Sequence, residues 1–594
     1  MQPGVGRRVG CAGILTRGGD RDVPSGMASS PEDLRALEAL LTGPGAPFAV
    51  VRDEAGRLAY AEGPRTLREF AETTWAFGDT PFLIADSGRL TYGEFFAAAS
   101  ALARRFLAAE DEGGYGLRPG DRAVIALRNH PEWQVGFWAA QLAGLVAVPL
   151  NSWWTADEIA YALDDCRPRV LFVDGERYER VAPWLARAED DERPWTLVCH
   201  EEGREASGPR VERYADLPFA DPLLGPPDVE VSPDSDATIL YTSGTTGRPK
   251  GAVATHHAHM AAIANPRYFA ALSSLGRGVV PGQGPLLPGL LTFPFFHVAA
   301  FTGFYAAMAA GGTLVLMRKW DTDAALALIH EHGIGSFGGV PATALQLLAR
   351  ADELDDDLPT LTMFNTGGAA APPELVARLT ARFGDRIEPR NGYGLTETLG
   401  GISANFGEQY RRVPGSVGRP APAVEARVAD PAGVELGEGE VGELWLRGQC
   451  LIRGYWEDPA ATGAAFTDDG WFRTGDLAEI SSGGLISVVD RIKDMVIRGG
   501  ENVYCVEVEG VLHGHPDVLE AAVVGVPHPV LGETVAAVVR VRGGSGLDAA
   551  GVREFAARGL AGFKVPERLV VQEAELPRNA TGKVLKRELR RGFA

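Results

Sequence analysis

The segment Tyr241-Thr-Ser-Gly-Thr-Thr-Gly-Arg-Pro-Lys-Gly251 decides the fold of this chain of 594 residues. It continues an apolar run, Ala237 to Tyr241, that is typical of a buried strand. Glycines among the hydroxyl residues let backbone amides approach phosphate oxygens, and Lys250 adds a positive charge. A polar surface turn is the alternative, and the Walker spacing G-x-x-x-x-G-K-[ST] is absent. We predict a phosphate-binding loop at the carboxyl end of a strand.

Helix and strand patterns alternate on the amino-terminal side of this loop. The run Tyr92 to Ala108 has apolar residues at helical spacing, Arg122 to Leu127 indicates a buried strand, and Trp133 to Leu145 is again helical. Such alternation predicts an α/β fold with parallel sheets covered by helices.

The residue composition and the pattern of apolar residues change on the carboxyl-terminal side of this loop. From about Pro414 glycine and proline become frequent and short β-like runs appear, such as Glu443 to Arg447, which predicts a smaller β-rich subdomain. After Asp490 a compact α+β segment follows. We predict an extension without fixed structure over residues 1–30, a large domain over 31–490 and a small domain over 491–594. Met27 is an alternative start of the chain.

Composition excludes several classes of protein. A net charge of -21 argues against sequence-independent binding to nucleic acid, which needs a basic face. The five cysteines are far apart and form no C-x-x-C pair, so neither a disulfide framework nor a zinc site is expected. No apolar run approaches the 18 or more residues of a membrane span, and the first 26 residues lack the apolar centre of a signal peptide. We expect a cytoplasmic protein without integral membrane association.

Six further segments follow the loop in a fixed order. They are Phe293-Pro-Phe-Phe-His-Val298, Gly367-Gly-Ala-Ala370, Asn391-Gly-Tyr-Gly-Leu-Thr-Glu-Thr398, Phe472-Arg-Thr-Gly-Asp-Leu477, Asp490-Arg-Ile-Lys-Asp494 and Pro577-Arg-Asn-Ala-Thr-Gly-Lys583. With these segments the chain, from about Glu69 to Leu589, resembles the ANL superfamily of adenylate-forming enzymes. That superfamily includes acyl-CoA synthetases, adenylation domains of nonribosomal peptide synthesis and luciferases.

The resemblance implies ATP as a substrate and Mg²⁺ as a cofactor. Tyr393 is expected to stack on adenine, Asp476 to accept hydrogen bonds from the ribose, and Arg491 to add a ribose or phosphate contact. Thr396 is expected to touch a phosphate, and Glu397 to hold Mg²⁺. The implied nucleotide contacts are Thr242, Ser243, Gly244, Thr245, Thr246, Gly247, Lys250, Gly368, Ala369, Ala370, Asn391, Gly392, Tyr393, Gly394, Asp476 and Arg491.

Lys583 is implied to be the main catalytic residue. A carboxylate that attacks the α-phosphate brings two anions together, and a cation between them stabilises the transition state. In the family the small domain is mobile and then turns about a hinge, here near Lys493, and presents Gly499, Gly500 and Glu501 to the thiol of coenzyme A. A luciferase-type oxygenase and an ATP-binding scaffold are less consistent with these residues.

The acid is expected to be apolar, because no buried cation is evident that would pair a second carboxylate. His297 is expected to orient the carboxylate, and Gly339 and Gly368 to leave space. The implied pocket residues are His297, Phe301, Gly338, Gly339, Val340, Gly367 and Gly368. We predict an acid–thiol ligase for a medium- or long-chain fatty acid. An aromatic or polycyclic carboxylate, transfer to a carrier protein, and a homodimer all remain open.

Two positions depart from the family's pattern. Asn391 stands where many members have another polar residue, and Ala370 where proline is frequent. Neither departure removes a charged group.

Overall fold

The computed structural model describes residues 31–189, 192–218, 221, 223–242, 248–579 and 583–593. The predicted extension over residues 1–30, including Met27, lies outside these residues.

An eight-stranded sheet carries the phosphate-loop strand. Its strands, in spatial order, are Gly454–Tyr455, Lys250–Thr255, Asp236–Thr242, Val146–Pro149, Arg122–Ala126, Val170–Asp174, Trp195–Cys199 and Val211–Arg213. The pairs from Asp236–Thr242 to Val211–Arg213 are parallel, and the two pairs at the other edge are antiparallel. The parallel strands are nearly all apolar, as expected for strands covered on both faces.

A nine-stranded sheet faces the first one. Its strands, in order, are Arg419–Pro420, Gly400–Phe406, Glu388–Leu395, Met363–Gly367, Ser336–Gly339, Gly289–Leu291, Leu314–Leu316, Pro81–Ala85 and Gly88–Thr91. The six central strands are parallel and the outer pairs are antiparallel.

Three smaller sheets complete the described chain. The four-stranded antiparallel sheet consists of Val424–Ala429, Gly442–Gly448, Phe472–Ile480 and Ile486–Arg491. The five-stranded sheet consists of Glu501–Val503, Val496–Arg498, Gly532–Val541, Val518–His528 and Arg568–Gln572, and a two-stranded hairpin joins Val50–Arg52 to Leu58–Tyr60. The four-stranded sheet thus ends at residue 491, and residues 492–495 lead to the five-stranded sheet.

Helices cover the two large sheets, and several begin at side-chain caps. Thr91 and Glu94 form a capping box, and so do Thr155 and Glu158, which fixes where those helices start. The α-helices in the described residues are Pro31–Thr42, Leu67–Thr74, Tyr92–Leu107, Pro131–Leu142, Ala156–Cys166, Gly175–Leu185, His256–Gly276, Val298–Ala310, Thr322–His332, Pro341–Glu353, Pro373–Phe383, Gly407–Arg412, Pro459–Ala465, Cys505–His513, Ala549–Gly559 and Lys586–Arg591.

An aromatic core joins the two large sheets. The helix Pro131–Leu142 is buried along almost its whole length, and its Trp133 and Phe137 pack against Phe301 and Phe304 of the helix Val298–Ala310. Each such side chain contributes about 1.5–3 kcal/mol through burial. This packing fixes the two sheets against each other, so that the loops at their carboxyl ends meet.

The predicted α/β fold, with a large amino-terminal part of parallel sheets and a smaller carboxyl-terminal part, is confirmed. The helix expected at Tyr92 to Ala108 and the strand expected at Arg122 to Leu127 both exist, each ending one residue earlier. In the described part of the chain no helix is both long and apolar enough to cross a membrane. The four described cysteines are free thiols.

Candidate active site

A carboxylate held by two neighbours marks the predicted ribose position. The Tyr393 hydroxyl donates to Asp476 Oδ2 at 2.6 Å, and Arg491 Nε lies 2.8 Å from Asp476 Oδ1. Strand pairing sets Asp476 directly opposite Arg491, and Asp476 is only 2% exposed. Burial and the adjacent carboxylate raise the pKa of Tyr393 well above its usual value. The three residues therefore form one rigid polar corner, where ribose hydroxyls can donate to the carboxylate.

The predicted adenine wall is built from two adjacent strand ends. Gly367 pairs with Gly392 in parallel strands, and Gly368 follows with a left-handed φ of +76°, so the chain turns away sharply. The buried Oδ1 atom of Asn391 has no hydrogen-bond partner among the described residues. A buried acceptor without a donor is costly, and an adenine amino group would satisfy it. Gly368, Ala369 and Ala370 are exposed, and Gly394 lies further along the strand of Tyr393.

Glu397 lies in a short 3₁₀ turn that begins at Thr396. The Tyr455 hydroxyl donates to Glu397 Oε1 at 2.8 Å, and the ammonium of Lys250 lies 5.3 Å from the centre of the Tyr455 ring. Tyr455 reaches this position because its short strand pairs with the strand that begins at Lys250. A carboxylate with one oxygen already positioned fits Mg²⁺, which takes one or two protein carboxylates and completes its shell with phosphate and water. Sequence reasoning missed Tyr455, since it stands outside the seven segments.

The strands that flank the predicted phosphate loop form a hairpin. Thr242 ends one strand, Lys250 begins the next, and the two residues pair directly. The intervening residues Ser243, Gly244, Thr245, Thr246 and Gly247 lie outside the described residues. Lys250, which follows these residues, therefore lies beside Tyr455, and through it near Glu397.

His297 caps the helix Val298–Ala310, and its Nδ1 accepts a hydrogen bond from the backbone N–H of Ala299 at 3.2 Å. Burial, and next the charge of Lys583, lowers the pKa of His297 to about 4, so the ring is neutral at pH 7. Because Nδ1 is the acceptor, the proton lies on Nε2, which is left as a hydrogen-bond donor. A neutral donor of this kind can orient a carboxylate.

Asn129 fixes the turn before His297, and sequence reasoning missed it. Its amide Nδ2 donates to Phe293 O at 2.9 Å, and its Oδ1 accepts from Phe295 N at 2.9 Å. Asn129 follows a strand of the eight-stranded sheet, whereas Phe293 follows a strand of the nine-stranded sheet. A lone Asn gives no signal in the sequence, because its partners are more than 160 residues away.

The predicted pocket residues differ in how open their surroundings are. Beside Gly368 a Cβ atom would meet only Val340 Cγ1, at 3.9 Å, so space is available there. Beside Gly339 a Cβ atom would lie 2.6 Å from Thr343 Oγ1 and 2.7 Å from Thr292 Oγ1. The expectation that Gly339 leaves space is therefore wrong, because close packing fills the position.

The other predicted pocket residues lie at different depths. Phe301 is fully buried in the aromatic core, where it stacks on His259 and packs against Trp133. Gly338 lies in the same strand as Gly339, and Gly367 ends the neighbouring strand, where a Cβ atom would meet Gly392 O at 3.3 Å.

The charge of Lys583 acts on the ribose corner and on His297. The backbone N–H of Lys583 donates to Asn579 Oδ1, and the N–H of Asn579 donates to Lys583 O, both at 2.9 Å. Lys583 is solvent-accessible but surrounded by protein. Burial, and next the charge of Arg491, lowers its pKa to about 8, although Asp494 and Asp476 oppose the shift. The ribose corner, Lys583 and His297 are thus within electrostatic reach of one another.

The segment predicted to meet the thiol lies on a different sheet. Gly499 and Gly500 form the turn of a hairpin, with φ values of +62° and +90°, and Glu501 follows on its exposed side. Lys493 is exposed between the four-stranded and five-stranded sheets. Among the described residues, no hydrogen bond or ion pair joins Gly499, Gly500 or Glu501 to Tyr393 or Lys583.

Comparison with known proteins gives matches along most of the chain. The family model described as AMP-binding enzyme matches residues 70–456, and the model described as AMP-binding enzyme C-terminal domain matches residues 507–583. The long-chain-fatty-acid–CoA ligase FadD13 of Mycobacterium tuberculosis is 35% identical over 507 residues, which are 85% of this chain and 93% of the relative. A feruloyl-CoA synthase of an Amycolatopsis species is 35% identical over 506 residues, which are 85% and 94% of the two chains. The solved structure of ATP-bound MatB from Rhodopseudomonas palustris is similar with a TM-score of 0.75 and 30% identity, covering 88% of this chain and 99% of MatB.

Proposed function

The chain belongs to the family of AMP-binding enzymes, as an acid–thiol ligase of the acyl-CoA synthetase type in the ANL superfamily, and from this premise we propose its substrates, cofactors and site residues. We propose that it joins a medium- or long-chain fatty acid to coenzyme A through an acyl-adenylate. The observation that carries this proposal is that the predicted nucleotide residues hold one another in place and that the charge of Lys583 acts between them and His297. Glu397 contacts Tyr455, Tyr393 and Arg491 contact Asp476, and the charge of Lys583 acts on both Asp476 and His297.

In the first half-reaction an oxygen of the acid attacks the α-phosphorus of ATP, and the bond to the β-phosphate breaks with release of pyrophosphate. His297 orients the acid through its Nε2–H. Lys583 offsets the charge of the two anions as they approach, which needs a cation but no proton transfer. Asp476 and Arg491 hold the nucleotide, so that the reacting atoms stay aligned.

Mg²⁺ is the proposed metal, and Glu397 would hold it beside the phosphates. When bound, the ion would neutralise charge on the phosphate oxygens. The hydroxyl of Tyr455 keeps the carboxylate of Glu397 in one orientation, and the ammonium of Lys250 lies over the ring of the same residue. This arrangement supports a shared role for the three residues at the phosphates.

An apolar acid is supported by the charges near His297. Its ring is neutral at pH 7, and the positive charge that reaches it is that of Lys583, which the first half-reaction already uses. The open space beside Gly368 lies next to the apolar side chain of Val340. Among the described residues, Lys583 is the cation whose charge acts on His297, so a second carboxylate next to that ring would stay unpaired and a monocarboxylic acid is favoured.

In the second half-reaction the thiol of coenzyme A attacks the acyl carbonyl, and AMP leaves. We propose that the chain after Lys493 turns as a lid about that residue, which withdraws Lys583 and brings Gly499, Gly500 and Glu501 to the thiol. The break between two sheets at residues 492–495 supports a hinge at this position. The two glycines have left-handed backbone and no side chain, which allows a pantetheine arm to pass close to the backbone.

An aromatic carboxylate is the second candidate for the acid. The chain is as similar to a feruloyl-CoA synthase as to a fatty-acid ligase, with 35% identity to each. In addition, Phe296, the residue before His297, packs edge to face against Trp153. A flat substrate has rings to pack against there.

The test is AMP release across a panel of acids, with and without coenzyme A, in the presence of Mg²⁺. The panel contains saturated fatty acids of increasing length, ferulate and a dicarboxylate. We expect coenzyme A-dependent AMP release that is fastest with a fatty acid. Fastest release with ferulate would replace the fatty acid by the aromatic candidate, and acyl-AMP that never transfers to coenzyme A would favour a carrier protein as acceptor.

Lys583→Ala tests the catalytic assignment, and Lys564→Ala is its matched control. Lys564 is a lysine of the same small domain, paired with Glu507 at 2.7 Å. We expect Lys583→Ala to lower adenylate formation at least about 100-fold, while Lys564→Ala keeps the rate of the parent. Equal rates in the two variants would remove Lys583 from the mechanism.

A further inference from the structure

Two histidines and a glutamate form a cluster away from the nucleotide residues. Each of His130, Glu132 and His200 offers a donor atom, and the three atoms all lie within 4.8 Å of one another. His200 Nε2 and Glu132 Oε2 are 2.8 Å apart, and the rings of His130 and His200 are stacked with centroids 3.9 Å apart. No step of the proposed reaction uses these residues.

The cluster stands at the carboxyl edge of the parallel strands, where α/β sheets bind ligands. His130 and Glu132 begin the helix that follows the strand Arg122–Ala126, and His200 directly follows the strand Trp195–Cys199. The strand Val170–Asp174 lies between these two strands in the sheet. The side chains that follow the two outer strands therefore meet beyond the end of the middle strand.

The backbone that carries His200 is held in an unusual position. His200 has a left-handed φ of +49°, which is uncommon for a residue with a side chain. A Cβ atom on Gly175 would lie 2.6 Å from Glu201 O, so the loop passes close over the start of the next helix. Arg213 holds Glu201 at 2.7 Å, and Arg318 holds Glu202 at 2.6 Å. The loop is therefore clamped on both sides, which positions the imidazole before any ligand arrives.

His130 adds a second feature that indicates a ligand. It is 8% exposed, and its ring has no hydrogen bond to any described residue, although it stacks on His200. An imidazole without a hydrogen bond to the described protein is available to a ligand.

We propose that His130, Glu132 and His200 bind a single Zn²⁺ ion. Two imidazoles and one carboxylate are a donor set that zinc takes in proteins, with water as the fourth ligand. Zinc–ligand bonds of about 2.0–2.2 Å put tetrahedral donors about 3.4 Å apart. Side-chain rotations therefore have to separate His200 Nε2 from Glu132 Oε2, now 2.8 Å apart, and to draw together any pair that is wider, which is at most 4.8 Å.

The charges around the cluster suit a dication. Glu132 contributes one negative charge. The nearby Asp174 is already neutralised by Arg177, through contacts of 2.7 and 2.6 Å, and Arg318 by Glu202. When zinc binds, the hydrogen bond between His200 and Glu132 is replaced by a bond from each side chain to the ion.

Zinc binding to the full-length, untagged chain tests the proposal, with excess Mg²⁺ present so that zinc does not occupy the site of Glu397. Isothermal titration after removal of metal by chelation gives stoichiometry and affinity. Co²⁺ absorption then reports coordination, since four-coordinate cobalt with nitrogen and oxygen ligands absorbs far more strongly than the hydrated ion. We expect one ion per chain and a cobalt spectrum without thiolate charge-transfer bands.

Glu132→Gln and His200→Asn should each bind zinc at least about 100-fold more weakly. His330→Asn is the matched control, because His330 contacts Asp356 at 2.7 Å and the described residues offer no third ligand there. Its zinc affinity should equal that of the parent. Circular dichroism establishes that each variant is folded. The proposal is overturned if the parent binds no zinc, or if folded Glu132→Gln and His200→Asn bind it as tightly as the parent.

Discussion

Replacing Tyr455 by phenylalanine removes one hydroxyl from the site and keeps the ring. The hydroxyl donates to Glu397 Oε1 at 2.8 Å, whereas the ring carries the contact with Lys250 at 5.3 Å. The variant therefore isolates the hydrogen bond that orients the proposed metal ligand. The cation–π contact stays in place.

The expected loss follows from the strength of that bond. A hydrogen bond to a charged group contributes about 1.5–3 kcal/mol, which corresponds to roughly 10- to 150-fold in rate. Tyr455 and Glu397 are both partly exposed, so water replaces part of the lost interaction. We expect the first half-reaction to slow by about 10- to 30-fold, and the Mg²⁺ concentration needed for half-maximal rate to rise.

The assay is initial-rate release of pyrophosphate at saturating acid, as a function of Mg²⁺ concentration. Tyr115→Phe is the matched control, because the Tyr115 hydroxyl donates to Glu212 at the same distance of 2.8 Å, outside the site. Tyr115→Phe should keep the rate and Mg²⁺ response of the parent. A rate for Tyr455→Phe within about twofold of the parent, or an equal loss in Tyr115→Phe, would refute the reasoning.

Three further predictions concern charge, the hinge and stability. The pKa of Lys583 is lowered to about 8, so its cation is present below that pH and lost above it. Adenylate formation should fall above pH 8, and Lys583→Arg should move the fall to higher pH; a parent profile that stays flat to pH 10 contradicts this. Lys493→Pro should keep adenylate formation but lower transfer to coenzyme A about tenfold or more, and equal effects on both half-reactions count against the hinge. Arg177→Ala leaves Asp174 buried and unpaired, so it should destabilise the protein by about 3–5 kcal/mol in thermal unfolding; an effect as small as that of the exposed Arg558→Ala would show the pair to be unimportant.

The local elements of the fold could be predicted because their signals are short-range. Capping residues and helical spacing define Tyr92–Leu107, and a continuous apolar run defines Arg122–Ala126. The sheet order could not be predicted in this way. The strand Pro81–Ala85 pairs with Leu314–Leu316, more than 220 residues later, and periodicity carries no information about such a partner.

The same contrast between short-range signals and distant partners applies to the active-site residues. Residues in contiguous motifs, such as Tyr393, Asp476 and Lys583, were predicted from the sequence, and their roles remain proposals. Tyr455 and Asn129 were missed because each acts through a partner distant in the chain. Gly339 was misjudged because a glycine signals both open space and tight packing, and only the neighbouring atoms distinguish the two.

The pairing of Asp476 with Arg491 has a consequence for the order of product release. Arg491 is the last residue of its strand, and the proposed pivot, Lys493, lies two positions further on. When the lid turns about Lys493, residues next to Lys493 move least, and the part of the lid that carries Lys583 moves most. Asp476 and Arg491, which are proposed to hold the nucleotide, lie outside the lid. The rotation that admits the thiol therefore leaves AMP bound. The thioester is therefore expected to depart first, and AMP only after the lid has swung back.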